Sequence, residues 1–172
     1  SGGGAAKYFD EAKGEQDLPS SVTLRAAATA ISDNSNVGVS VFTEAAVQHA
    51  EKQPDGLSKT ENINKANGDI GAAVGISNIT QAPVLIGSND DYKELTDDAA
   101  SAYALQLAAL VKAASANTTG NTPALELLNK LAADLSDGII DGKNDATTLT
   151  TLPYATLASV FAASWQLAMQ EV

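Results

Sequence analysis

Cysteine is absent from this sequence of 172 residues, which excludes disulfides, thiol nucleophiles and thiolate metal sites. Histidine occurs once, at His49, so a metal site built from several histidines is excluded and a Ser-His-Asp triad has a single available base. The glycine-rich motifs that bind phosphates and the motifs of serine hydrolases and zinc proteases are missing as well. These absences predict a protein that is not an enzyme and that needs no organic cofactor.

Basic residues and long apolar runs are scarce too. Lys and Arg total 10 against 21 Asp and Glu, which gives a formal net charge of -11. Such a surface repels phosphate backbones, so we expect no nucleic-acid partner. The apolar stretches are interrupted by Lys, Gln or Asp and fall short of the roughly 18 to 20 residues that a membrane span needs, which predicts no transmembrane segment. The bias toward Ala, Thr, Asn and Ser is typical of exported bacterial proteins and predicts an extracellular or cell-surface location.

The sequence divides into a polar N-terminal stretch and a longer helical region. We predict that residues 1–20 form an extended N-terminal arm, in which a short helix over residues 5–13 ends at Gly14. Residues 21–172 are predicted to form a single helical domain, a size that buries a substantial core without disulfides or metal.

A β-hairpin is predicted at the start of that domain, at about residues 21–41. Apolar residues alternate with polar or small ones around Val22 and Leu24 and again from Val37 to Val41, as they do in half-buried strands. The intervening "SDNSN" has the composition of a turn. The predicted fold class is therefore mainly α, a bundle of about five helices with a small N-terminal β-hairpin and an extended N-terminal arm.

Capping residues and helical spacing place the five helices. Ser40 and Thr96 are predicted to cap the first and third, Ser58 and Glu61 to form a capping box for the second, and Pro123 to begin the fourth. The predicted inward faces are Ile63, Ala66, Ile70, Ala73 and Val74 in the second helix, Ala99, Ala102, Tyr103, Leu107, Leu110, Val111 and Ala114 in the third, Leu125, Leu128, Leu131, Ala132 and Leu135 in the fourth, and Tyr154, Ala158, Phe161, Trp165, Ala168, Met169 and Val172 in the last. The long connection over residues 76–95 is predicted either to pack over the core or to carry function.

The strongest candidate for bound chemistry is the acidic stretch "DLSDGIIDGKND". Oxygen ligands at this density suit calcium, and the candidate ligands are Asp137, Asp141, Asn144 and Asp145. The spacing does not match an EF-hand loop, and Asp-Gly pairs also make ordinary turns and helix ends, so a purely structural role stays open. For His49 we predict a structural role at the rim of an apolar helix face.

A series of short motifs resembles a helical domain of exported bacterial surface proteins and lipoproteins of the proteobacterial type. The stretches that carry the resemblance are "NVGVSVFTE", "KANGDIGAAVGI", "APV", "ASAYALQLAAL" and "DLSDGIIDG", in this order from about residue 36 to residue 142. The resemblance implies a helical fold and a location at the cell surface. It implies no catalytic activity and no functional residue.

Two functional hypotheses follow from the sequence. The first is a non-enzymatic structural protein that assembles with copies of itself, as a filament or surface-layer subunit, through its N-terminal arm, with Tyr8 and Phe9 as apolar contact residues. It predicts a homo-oligomer or polymer. The alternative is a monomeric cell-surface module that binds a glycan, a peptide or a host molecule through the loop over residues 76–95.

Overall fold

The fold is mainly helical. The computed structural model describes residues 7–10, 14–33, 35–86, 91–116, 123–141, 143–144 and 147–148. In these ranges the α-helices are α1 (Val41–Glu51), α2 (Thr60–Val74), α3 (Ala99–Ala116) and α4 (Pro123–Leu135), and the strands are β1 (Lys7–Asp10), β2 (Gly14–Asp17), β3 (Lys143–Asn144) and β4 (Thr147–Thr148). Short 3₁₀ turns cover Gly56–Ser58 and Asp91–Glu94. The predicted fifth helix, over residues 154–172, lies outside the described residues.

The predicted cap of the first helix is confirmed. The Ser40 hydroxyl accepts hydrogen bonds from the backbone N–H groups of Phe42 and Thr43, and the Thr43 hydroxyl in turn accepts one from the backbone N–H of Ser40. This reciprocal arrangement is a capping box. The hydroxyl of Tyr103 lies 2.6 Å from the Ser40 hydroxyl and donates to the carbonyl of Ile79. These contacts connect the start of α1 to α3 and to the loop after α2.

The start of α2 differs from the prediction. Ser58 ends a 3₁₀ turn, Lys59 is the N-cap, and no side chain caps the helix, so the predicted capping box of Ser58 and Glu61 is wrong. The physical reason is the left-handed backbone at Asp55, with a φ of 69°, which turns the chain so that residues 56–58 wind as 3₁₀ before the helix begins. The predicted end is confirmed, since Gly75 adopts the left-handed conformation, with a φ of 73°, immediately after α2.

Asp98, rather than Thr96, caps α3. The Asp98 carboxylate accepts a hydrogen bond from the backbone N–H of Ser101 at 2.8 Å. The Thr96 hydroxyl donates to the other oxygen of the same carboxylate at 2.5 Å, so Thr96 orients the capping residue. These hydrogen bonds, the one from Thr96 first, lower the pKa of the Asp98 carboxyl.

The core lies where α1 packs against α2 and α4, and α3 packs against α4. The five residues predicted to face inward from α4 are all buried, which confirms that stripe. Ala73, Ala99 and Ala102 are exposed although they were predicted to face inward. The largest fully buried side chains include Phe42, Ile70, Ile79, Ile86, Tyr103, Leu131 and Leu135.

The prediction of a β-hairpin at about residues 21–41 is wrong. The N-terminal hairpin instead consists of β1 and β2, paired antiparallel with Lys7 opposite Asp17 and Tyr8 opposite Gln16. The predicted helix over residues 5–13 is also wrong, because residues 7–10 form a strand. Lys7 also makes an ion pair with Glu15 at 2.5 Å, a diagonal contact across the two strands. An extended arm over residues 1–20 is not observed in the described ranges, and residues 1–6 lie outside them.

The segment predicted as a hairpin satisfies its polar groups differently. Asn67 of α2 donates its side-chain N–H to the carbonyl of Ala27, and the N–H of Gly38 donates to the carbonyl of Thr80. Gly38 is required there, because a Cβ would lie 2.6 Å from the carbonyl oxygen of Gln81. Contacts with a helix and a distant loop therefore replace the strand pairing that the alternating pattern predicted.

The described part of the connection between α2 and α3 packs over the core, which was one of the two predicted alternatives. Ile76, Ile79 and Ile86 are buried, and the hydroxyl of Tyr103 binds the carbonyl of Ile79. The described residues around them form no α-helix, which is why helical periodicity does not reveal them.

Candidate functional site

An apolar groove of about 640 Å³ lies on the described surface. Six separate parts of the chain form it, namely the N-terminal hairpin, the segment after it, the approach to α1, the loop over residues 82–85, helix α3 and helix α4. The lining residues are Lys7, Tyr8, Leu18, Leu24, Gly38, Val39, Ser40, Val41, Ala82, Pro83, Leu85, Leu107, Val111, Leu125 and Leu128. We call this feature the groove.

The rim of the groove exposes large apolar side chains. Leu85 is 63% exposed and Val39 is 55% exposed. None of the described residues that line the groove is acidic, although Asp and Glu outnumber Lys and Arg by 21 to 10 in the chain. The groove is therefore a mainly apolar patch, with Lys7 as a basic residue in its described lining, on a strongly acidic protein, and an apolar surface patch is typical of a binding surface.

The residues predicted as assembly contacts lie in β1. Tyr8 is half-buried and lines the groove together with residues of α3 and α4, so the N-terminal hairpin lies beside the groove of its own chain. Phe9 follows it in the strand, opposite Glu15. Within the described residues the hairpin has two strands and no third strand joins it.

Arg25 fixes the chain that follows the hairpin. Its guanidinium donates to both carboxylate oxygens of Glu44, at 2.8 and 3.1 Å, and to Glu51 at 2.6 and 3.2 Å. These hydrogen bonds, the one to Glu44 first, raise the pKa of the guanidinium. The Glu44 side chain is only 3% exposed, so this charge depends on its partner for compensation. Residue 25 is thereby anchored to α1.

His49 joins three helices, which supports the predicted structural role. Its Nδ1 lies 2.9 Å from the carbonyl oxygen of Ser136, just after α4, and its Nε2 lies 3.0 Å from the Asp69 carboxylate of α2. Burial alone would raise the pKa of the Asp69 carboxyl, but hydrogen bonds from Lys65 and His49 outweigh burial and lower it. The contact therefore stabilises the packing of α1 against both neighbours.

Ser136 lies beside a lysine but is not presented to a substrate. Lys52 donates to the Ser136 hydroxyl at 2.9 Å, a pairing that activates serine in some hydrolases. Here Ser136 is completely buried and its hydroxyl donates to the carbonyl of Ala133 at 2.7 Å. These hydrogen bonds satisfy backbone and side-chain groups at the C-terminal end of α4. The buried hydroxyl of Ser136 is not accessible to the carbonyl group of a substrate.

The candidate calcium ligands take part in local turns. The Asp137 carboxylate accepts the N–H of Ile139, and the Asp141 carboxylate accepts the N–H of Lys143, each at 3.0 Å. Asn144 lies in β3, and Asp145 lies outside the described residues. In the ranges that the structure describes, no three His, Cys, Asp or Glu side chains are grouped as a metal ion would require. The calcium site stays a prediction.

Sequence reasoning missed both the groove and the Arg25 contact. One available signal was "APVLIG", an apolar run in a loop, where apolar residues need a partner. The other was the single arginine of the chain, surrounded by small and apolar residues. Neither signal identifies the partner, because the contacting residues lie far away in the sequence.

The chain matches no known protein family, no curated protein and no solved structure. Among the helices of the described ranges, none is both long enough and apolar enough to cross a membrane.

Proposed function

We propose that this protein is a non-enzymatic, exported structural protein that assembles with copies of itself through its N-terminal segment. The observation that carries the proposal is the apolar groove bordered by the N-terminal hairpin, with Val39 and Leu85 exposed at its rim. Burial of this surface against another copy removes apolar area from water, at about 25 cal/mol for each Å².

The distribution of charge also favours the groove as the contact surface between copies. Two copies that each carry a formal charge of -11 repel one another, and the repulsion is smallest where acidic side chains are absent. The groove is such a place, since Lys7 is the one charged residue in the part of its lining that the structure describes. A neighbouring acidic copy therefore meets little like-charge repulsion from the lining of this face, and added salt strengthens the assembly by screening the remaining repulsion.

The location that we propose is extracellular or at the bacterial cell surface. The resemblance to exported surface domains over about residues 36–142 and the composition rich in Ala, Thr, Asn and Ser support it. A subunit of a filament or surface layer needs a contact between two different surfaces that are complementary, because such a head-to-tail contact propagates unless its symmetry closes.

A matched pair of substitutions tests this proposal. Leu85→Asp places a charge on the rim of the groove, and Ile31→Asp places the same charge at a residue of equal exposure, 64% against 63%, that does not line the groove. Sedimentation velocity over a range of concentrations is expected to show assembly for the unchanged protein and for Ile31→Asp, and a shift to monomer for Leu85→Asp. An unchanged protein that stays monomeric at high concentration contradicts the proposal.

A second candidate function is favoured by a separate, polar cleft. It has a volume of about 280 Å³ and is lined by amide and hydroxyl side chains that include Thr29, Asn64, Asn67 and Asn78. Such groups bind hydroxyl-rich ligands, so the cleft supports the alternative of a surface module that binds a glycan. Amide chemical-shift changes around Asn64 on addition of soluble glycans would favour this function, and their absence across a diverse panel would count against it.

A further inference from the structure

Two polar clefts lie side by side on the described surface and share part of their lining. The first, of about 280 Å³, is the polar cleft already described, and the second, of about 410 Å³, lies between the segment before α1 and the loop after α2. The residues that line both are Ala28, Thr29, Asn78 and Thr80. Small-molecule sites usually have volumes of about 300 to 1,000 Å³, so the pair is large enough for a ligand. We call the pair the double cleft.

Hydrogen bonds hold the walls of the double cleft in place. The Thr29 hydroxyl donates to the carboxamide oxygen of Asn64 in α2 at 2.7 Å. On the opposite side, the backbone N–H of Gly38 donates to the carbonyl of Thr80 at 2.9 Å. The segment before α1 is therefore fixed both to α2 and to the loop after it. A site that is formed before the ligand arrives binds with a smaller ordering cost.

The partners of two carboxamides fix which atoms they offer to a ligand. Asn78 lies next to the backbone N–H of Thr80, at 3.1 Å, and next to the Thr80 hydroxyl, at 2.8 Å. A backbone N–H only donates, so the Asn78 oxygen faces Thr80 and its N–H groups are left for a ligand. Asn67 shows the reverse arrangement, because its N–H donates to the carbonyl of Ala27 at 2.9 Å and its oxygen is left to accept.

The double cleft thus combines donors and an acceptor without any charge. Asn64 and Asn78 are exposed and offer N–H donors, while the half-buried Asn67 offers an acceptor. None of the described residues that line either cleft is charged, although the chain has a formal net charge of -11. This complement of groups suits a neutral ligand that both donates and accepts hydrogen bonds.

Backbone strain marks the wall of the second cleft. Ala30 lines this cleft and has a φ of 60°, in the left-handed region. The Cβ of an L-residue clashes with the following carbonyl oxygen there, and alanine has no polar side chain to offset the clash. Strained residues of this kind cluster at ligand-binding sites, so Ala30 favours a binding role for this wall.

We propose that the double cleft binds an uncharged, linear oligosaccharide whose neighbouring sugar units lie in its two halves. This inference rests on the second candidate function proposed above and names the chemical class of its ligand. Sugar hydroxyls donate and accept hydrogen bonds, which matches the N–H groups of Asn64 and Asn78 and the oxygen of Asn67. A carboxylated sugar finds no cationic side chain in the described lining and meets the negative field of the protein.

Nuclear magnetic resonance titration tests this inference directly. The probes are maltotriose, cellotriose, mannotriose and triacetylchitotriose, their monosaccharides, and trigalacturonic acid as the charged comparison. At least one neutral trisaccharide should shift the side-chain amide signals of both Asn64 and Asn78. It should bind at least about tenfold more tightly than its monosaccharide, because the linked second unit meets its half of the cleft at a raised effective concentration.

A matched pair of variants tests the role of Asn78. Asn78→Asp keeps an oxygen that accepts from Thr80 but loses the N–H donors, and its affinity for the trisaccharide should fall at least about threefold, as expected for a lost hydrogen bond. Gln53→Glu makes the same change of amide to carboxylate at a residue that lines neither cleft, and its affinity should equal that of the unchanged protein.

The outcomes separate this inference from the function on which it rests. Tighter binding of a neutral trisaccharide, weakened by Asn78→Asp and not by Gln53→Glu, supports both. Binding that is no tighter for trisaccharides than for monosaccharides, that is tightest for trigalacturonic acid, or that is unchanged in Asn78→Asp overturns the inference and leaves glycan binding standing. Absence of binding by every sugar in the panel overturns the second candidate function and the inference with it.

Discussion

Two glycines of the same helix should respond to alanine in opposite directions. Gly68 and Gly71 both lie inside α2. No heavy atom lies within 4 Å of the position that a Cβ would take at Gly68, whereas a Cβ at Gly71 would lie 2.5 Å from the carbonyl oxygen of Ile76. The chain folds back onto Gly71 because Gly75 takes the left-handed conformation and the N–H of Ile76 binds the carbonyl of Gly71 at 2.8 Å.

The magnitudes follow from these two environments. Alanine is favoured over glycine in a helix interior by about 0.8 to 1 kcal/mol, so Gly68→Ala should raise the free energy of unfolding by about that amount. Gly71→Ala receives the same gain, but its methyl group must displace the backbone of Ile76, and overpacking of this kind costs about 1 to 3 kcal/mol. The free energies of unfolding of the two variants should therefore differ by about 1 to 3 kcal/mol, with Gly71→Ala the less stable.

Urea unfolding followed by far-ultraviolet circular dichroism measures this difference. Both variants should keep the slope of the unchanged protein, because the same surface becomes exposed on unfolding, and should differ in the midpoint. Equal stabilisation by the two substitutions would refute the close backbone approach at Gly71, and with it the way in which the loop after α2 covers the core.

Three further predictions concern charged side chains. Arg25→Ala should lower the free energy of unfolding by about 1 to 3 kcal/mol, because it leaves the buried Glu44 carboxylate without its charged partner, and calorimetry should show a smaller loss for Arg25→Lys. The pKa of the Asp69 carboxyl is lowered from 3.8 by folding, so its contribution is present above that pH and is lost as the pH falls through the lower folded value; the difference in stability between the unchanged protein and Asp69→Asn should shrink over this acidic range. The predicted calcium site requires calcium to raise the melting temperature, an effect that should be lost in Asp141→Asn, and an unchanged melting temperature would remove the site.

Local signals in the sequence predicted much of the helical part. Ser40 begins α1 because its hydroxyl and the nearby Thr43 satisfy the first backbone N–H groups, and this information lies within four residues. Gly75 ends α2 for an equally local reason, since glycine adopts the left-handed backbone without a steric penalty. The leucine stripe of α4 was predicted by helical spacing, because a single buried face imposes that spacing.

Long-range contacts determine the structure of the segments that the sequence patterns did not predict. The alternation from Val22 to Val41 is typical of a hairpin, yet Arg25 binds α1, Asn67 binds the carbonyl of Ala27, and the described residues of this range form no strand. The hairpin forms in the polar N-terminal stretch, where glycines and charges gave no apolar alternation to indicate it. The groove was not predictable for a similar reason, because its walls come from residues between Lys7 and Leu128 that meet only in the folded chain.

Removal of the hairpin tests the central claim most directly. A chain that lacks residues 1–17 retains Arg25 and every residue of the core cluster, and circular dichroism can verify that its helices are intact. Light scattering at increasing protein concentration is then compared between the intact and the shortened chains. We predict that the intact protein forms particles whose mass grows with concentration and that the shortened protein remains monomeric. Assemblies of the same mass from both chains would contradict the account.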